Sequence, residues 1–156
     1  TCSGGSNGFA AYRLAYGIIE RPETKNEVDR AMFILAARAH GVGGNHARAL
    51  DELDQARELL DETPASRRDA AQITLETARV YRSQNRFDDA LRAYADVFAM
   101  YPEQEASDEA ARTEAAIMLL STGQVGAREV EQARSILSGL RDQMAAQKIM
   151  RDYGIH

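Results

Sequence analysis

His40 and His46 flank the run Gly41-Val42-Gly43-Gly44-Asn45, and these two imidazoles around a glycine-rich turn come nearest to chemistry in this chain. A turn of that composition can cradle a phosphate or bring two histidines onto a metal. A phosphate loop follows a strand and continues into Lys with Ser or Thr, and neither feature is present here. A metal site would need a carboxylate or thiolate held beside the imidazoles, which a flexible turn does not provide. The expectation is therefore that His40 packs and that His46 faces solvent. The acidic pairs Asp51-Glu52, Asp88-Asp89 and Asp108-Glu109 are sequence neighbours, so the two carboxylates of each pair point to different sides of a helix. Asp88-Asp89 and Asp108-Glu109 also stand near expected helix starts, where they meet the positive end of the helix dipole. The single cysteine, Cys2, excludes an intrachain disulfide and a cysteine metal cluster. No Ser-His-Asp or Cys-His arrangement can be drawn. These residues predict a protein that is not an enzyme, with no cofactor and no metal.

The elements that carry these residues read as helices. The 156-residue chain is rich in Ala, Leu, Glu, Arg and Gln, with three prolines and no Trp, a composition that favours an all-α class. It holds 19 basic against 24 acidic residues, net −5, and the two signs interleave, as in Arg57-Glu58 and Arg128-Glu129. Without a basic excess or stripe, no nucleic-acid partner is expected. No stretch approaches the roughly 20 apolar residues that a membrane span needs.

Phe9, Tyr12, Tyr16 and Ile19 recur at spacings of three and four, one face of a helix that Pro22 ends. Thr24 with Glu27 makes a capping-box signature for a second helix, to about His40. A third runs from about Asn45 to Glu62, before Pro64. Ser66 with Asp69 opens a fourth, to Ser83; Phe87 opens a fifth, ending at Pro102. Ser107 caps a sixth, Gly123 ends it, and a seventh starts at about Ala127. The tail to His156 either continues that helix or bends into an eighth, with Gly139 and Gly154 as the breaking points.

Residues 71–104 carry the most informative spacing. Counted from Ala71, Ala78 falls at position 8, Tyr81 at 11, Ala90 at 20, Tyr94 at 24 and Pro102 at 32. Small residues stand where two helices touch, aromatics fill the gaps and a proline closes the pair; this segment resembles the tetratricopeptide repeat family. Counted from Arg30, Phe33, Ala37, His40, Ala49, Leu53 and Ala56 form a second copy, and Ala133 with Leu137 match the second helix of a third. That third copy aligns only with an insertion around Gln124-Val125-Gly126. The resemblance implies a right-handed α-solenoid of helix-turn-helix pairs with about seven or eight helices. It divides the chain into a flexible tether (1–8) and one helical domain (9–156), with repeats at about 24–63, 66–104 and 107–140 between capping helices. Tyr153 and Ile155 would help cover the C-terminal end.

In this family, first-helix residues line a groove that holds another protein. Carried over position by position, the resemblance implies a groove of Ala31, Ile34, Arg38, Gln72, Leu75, Arg79 and Arg82, with Gly41 at its edge. The arginines would meet a carboxylate or backbone carbonyl of a peptide, or else pair with Glu and Asp of their own chain. Members that clamp a terminal carboxylate place Lys and Asn where this chain has Ile34 or Leu75 and Arg38 or Arg79, so that clamp is absent.

Cys2 followed by Ser3-Gly4-Gly5-Ser6-Asn7-Gly8 resembles the start of a mature bacterial lipoprotein, with the cysteine as lipidation site and a tether behind it. Thr1 is an unusual residue before such a cysteine. The connector Met100-Tyr101-Pro102 and the acidic, serine-containing stretch after it resemble those of envelope repeat proteins. Together these features lead to the expectation of a non-enzymatic, periplasm-facing scaffold anchored at the outer membrane. It would dock a segment of a pilus, secretion or outer-membrane assembly protein. The alternative is a cytoplasmic chaperone or regulatory adaptor for such a partner.

Overall fold

The structure, a computed structural model, describes residues 22–100, 105–123 and 125–156. Among them seven α-helices succeed one another: α1 (Pro22–Val42), α2 (His46–Glu58), α3 (Pro64–Ser83), α4 (Phe87–Met100), α5 (Glu105–Ser121), α6 (Ala127–Ser138) and α7 (Gln143–Asp152). The expected all-helical class is found, with no strand among the described residues. Cys2, the tether, the Phe9–Ile19 stripe and the Tyr101-Pro102 connector lie outside them.

Two helix starts sit earlier than their capping signatures suggest. Helix α1 begins at Pro22, so this proline opens a helix, with Thr24 and Glu27 inside it. Helix α3 begins at Pro64, two residues before Ser66. Proline suits a first helical position because the N–H it lacks has no partner there in any case. The link into α3 is tied internally. Thr63 Oγ1 accepts from the Ser66 N–H (3.2 Å) and donates to Asp61 Oδ1 (2.6 Å), while Ser66 Oγ accepts from the Asp61 N–H (2.7 Å). Helix α2 correspondingly stops at Glu58, where the Leu59 and Leu60 N–H groups turn back to Ala56 and Arg57. Helix α5 encloses Ser107, and the tail forms the separate helix α7, capped by the Asp142 carboxylate accepting from the Ala145 N–H (3.0 Å).

The chain divides into two compact units, and the division falls inside α3, after Ala70. In the first, α1 packs on α2. Ile34 and Ala37 of α1 and Ala49, Leu53 and Ala56 of α2 are buried; the alanines let the two backbones approach closely. The hairpin turn is short, with the Asn45 side chain capping α2 through the Arg48 N–H (3.2 Å).

In the second unit, Leu75 and Ala78 of α3 pack with Ala90, Ala93, Tyr94 and Val97 of α4 and Ala111, Ala115 and Met118 of α5. The next face of α5 (Ala116, Leu119, Leu120) packs with Ala133 and Leu137 of α6, Leu140, and Ala146 of α7. Helix α5 therefore serves two apolar clusters, and each fully buried Leu or Val stabilises the unit by roughly 1.5–3 kcal/mol. Asn85 makes the α3–α4 turn at φ 58°, a left-handed conformation that Asn tolerates better than most side chains. Behind α7, Gly154 (φ 71°) reverses the chain so that Ile155 returns to the cluster, its N–H donating to Met150 O at 2.8 Å. Of the two residues expected at this end, Ile155 covers it and Tyr153 stays exposed.

The irregularity of the third pair has a structural cause. Ala133 is the seventh residue of α6, whereas Ala49 and Ala90 are the fourth of their helices. The insertion is thus shared between a longer turn and an extra first turn of α6, whose start is tied by the Gly126 N–H donating to Glu129 (3.0 Å).

Candidate functional site

Glu76, Arg79 and Arg82 recur every three residues along α3, so they share one side of that helix. The apolar cluster beneath them fixes where α4 and α5 stand, and this brings Tyr94 and Glu114 to the same place. Arg79 Nε donates to both Glu114 oxygens (2.9 and 3.2 Å), Nη2 donates to Glu114 Oε2 (2.7 Å) and Nη1 to Glu76 Oε1 (2.8 Å). The Tyr94 hydroxyl donates to Glu114 Oε1 at 3.4 Å and is also hydrogen-bonded with Arg82. Two carboxylates and two guanidiniums balance in charge around one buried phenol.

This setting shifts two ionisations. The fork to Glu114, reinforced by the charges of Glu114 and Glu76, holds Arg79 even more firmly protonated than an ordinary arginine. Burial raises the Tyr94 phenol above its usual value, and the Glu114 charge adds to that. Arg79 is a clamp between α3 and α5, and its planar fork is what a single-point ammonium could not reproduce.

The sequence-derived groove residues divide between the two units. In the second, Leu75 lies in the floor of the core, Gln72 is half-buried, and Arg79 and Arg82 enter the network around Tyr94. In the first, Ala31 and Arg38 are exposed on α1, Ile34 is buried against α2 and Gly41 lies near the end of α1. Sequence reasoning misses Glu76, Tyr94 and Glu114 as site residues. The three-residue step from Glu76 to Arg79 is a readable signal, but nothing local announces Glu114, 35 residues away from Arg79.

Two further arginines are held in cis. Arg30 of α1 is fully buried, donating from Nε to Asp69 (2.8 Å) and from Nη1 to Leu59 O (2.9 Å) and Asp61 (3.4 Å). Asp61 itself is lowered to about 2, chiefly by the hydrogen bonds from the Thr63 hydroxyl and N–H, with the Arg30 charge contributing. Arg112 of α5 lies over the Phe98 ring at 4.6 Å, pairs with Asp108 (3.0 Å) and donates to Ile136 O (3.2 Å). Its guanidinium passes over Gly139, where a Cβ would collide with it.

His40 is half-buried, with Nε2 3.9 Å from Glu52. His46, expected in solvent, is also half-buried, and its Nδ1 is enclosed without a hydrogen-bond partner. No group of three potential metal ligands gathers among the described residues, and no described helix is long and apolar enough to cross a membrane. Comparison with family models, with curated proteins and with solved structures finds no match to this chain.

Proposed function

We propose that this chain is a non-enzymatic scaffold of stacked helix pairs, a right-handed tetratricopeptide-type solenoid, that holds a segment of another protein. One observation carries the reading. Residues at matched repeat positions, namely Ala37 and Ala78, then Ala49, Ala90 and Ala133, then Leu53, Tyr94 and Leu137, are each at most 2% exposed. Helix pairs built to one plan treat matched positions alike, and the remaining matched pair, His40 and Tyr81, is half-buried in both copies. The groove would be lined by first-helix side chains, with Gln72 and Arg82 offering hydrogen bonds to an extended or helical segment. The Cys2 tract adds the envelope setting: a lipid-anchored scaffold facing the periplasm and docking a pilus, secretion or assembly component.

Because Arg79 clamps α3 to α5, alanine there would disturb stability and binding together. A cleaner probe is a photo-crosslinking side chain at Gln72, introduced in the native host, with the exposed Asp88 and Gln55 as controls. One protein crosslinked through Gln72 and absent from both controls is the expected result. Equal capture at all three positions, or none at any, removes the groove.

A further inference from the structure

Arg79 and Arg82 share one side of α3, yet the network around Tyr94 uses them unequally. Arg79 takes both carboxylates, donating to Glu76 Oε1 and to both oxygens of Glu114. Glu114 receives the Tyr94 hydroxyl as well, which fills the directions in which a carboxylate accepts. Arg82 gives one N–H to the Tyr94 oxygen, because that hydroxyl spends its proton on Glu114. Among the described residues no carboxylate pairs with Arg82, and its other N–H groups are not sealed within the protein. The acceptors of the network are thus used up, while donors remain, most of them on Arg82.

We propose that the Arg82 guanidinium anchors an acidic side chain, Asp or Glu, of the segment that the groove holds. This contact belongs to the groove proposed above and rests on that reading. The Tyr94 oxygen fixes where the guanidinium stands, and Tyr94 is itself buried and tied to Glu114, so the fork is set before a partner arrives. A planar fork presents parallel N–H groups, which a carboxylate meets with both of its oxygens and a backbone carbonyl with its single one. Glu76 and Glu114 do not compete for Arg82, since Arg79 already holds them. Gln72 lies about 15 Å back along α3 at a rise of about 1.5 Å per residue. An extended segment covers that distance in about five residues. The acidic residue therefore stands about five positions from the residue that meets Gln72.

A random peptide library with blocked C-termini, selected on the full chain carrying the crosslinker at Gln72, tests this. Peptides captured there should carry Asp or Glu about five positions from the crosslinked residue. Replacing that acid by its amide should weaken binding to the wild type about tenfold or more, as for a lost charge-assisted hydrogen bond. The same replacement should change binding to Arg82→Gln by less than about twofold, because the fork is gone. Arg82→Glu should instead favour peptides with Lys or Arg at that position. Circular dichroism and thermal melting check that both variants fold, and the acid and amide peptides on the wild type need no variant. A peptide that crosslinks at Gln72 and binds equally well as acid and as amide overturns the Arg82 contact and leaves the groove standing. So does an acid-to-amide loss as large in Arg82→Gln as in the wild type. A library that yields no peptide at Gln72 removes the groove, and this contact with it.

Discussion

At the scale of single residues, this chain spends its arginines on itself. Arg30, Arg79 and Arg112 each tie together segments distant in sequence, and each does so through directional N–H donors rather than charge alone. Asp61 shows how such ties respond to pH. Its folded pKa, about 2, lies below the ordinary 3.8, so its contribution is fully present above that ordinary value and is lost as pH falls through about 2. Wild-type stability should therefore decline between about pH 4 and pH 2, and Asp61→Asn should flatten that part of the profile. Urea unfolding at a series of pH values measures this, and a variant that keeps the wild-type slope would refute the role given to Asp61.

At the scale of elements, helix content is readable because propensity and capping are local. Pro22 and Pro64 show where such reading slips. A proline marks a stop in one context and a first helical residue in another, and only the packing of the segment behind it decides between the two. Gly139 shows the reverse. In sequence it is a break between helices, but its hydrogen side chain is what lets the Arg112 guanidinium reach Ile136 O. Gly139→Ala should cost about 1–3 kcal/mol, since a guanidinium held by Phe98, Asp108 and a carbonyl has little room to yield. Gly41→Ala, with open space around the added Cβ in α1, should cost nothing and gain up to about 0.5 kcal/mol. Thermal melts of the two variants compare them directly; equal effects would remove Gly139 from the clamp.

At the scale of the whole molecule, 19 basic and 24 acidic residues interleave along a net −5 chain, without the basic excess that marks an electrostatic footprint for nucleic acid. The envelope reading rests on Cys2, which lies outside the described residues. It predicts an acylated intact mass for protein purified from native membranes, and an unmodified mass for Cys2→Ala. Unmodified wild-type protein in the soluble fraction would instead favour the cytoplasmic adaptor reading.

The sequence by itself determined the helical class, the approximate place of most helices and several positions that become buried contacts. Ala49, Ala90 and Ala133 were legible because helix periodicity and side-chain volume are properties of a few neighbouring residues. It did not determine which charges meet. Arg30 with Asp69, Arg79 with Glu114 and Arg112 with Ile136 O span 39, 35 and 24 residues. No local pattern encodes such pairs, because they exist only once packed apolar faces have set one helix beside another. Tertiary structure also decided that Leu35 and Val42 stay outside, since the face of α1 that packs on α2 is the one bearing Ile34 and Ala37. Successive side chains of a helix point about 100° apart, so Leu35, next in sequence to buried Ile34, falls outside the contact with α2.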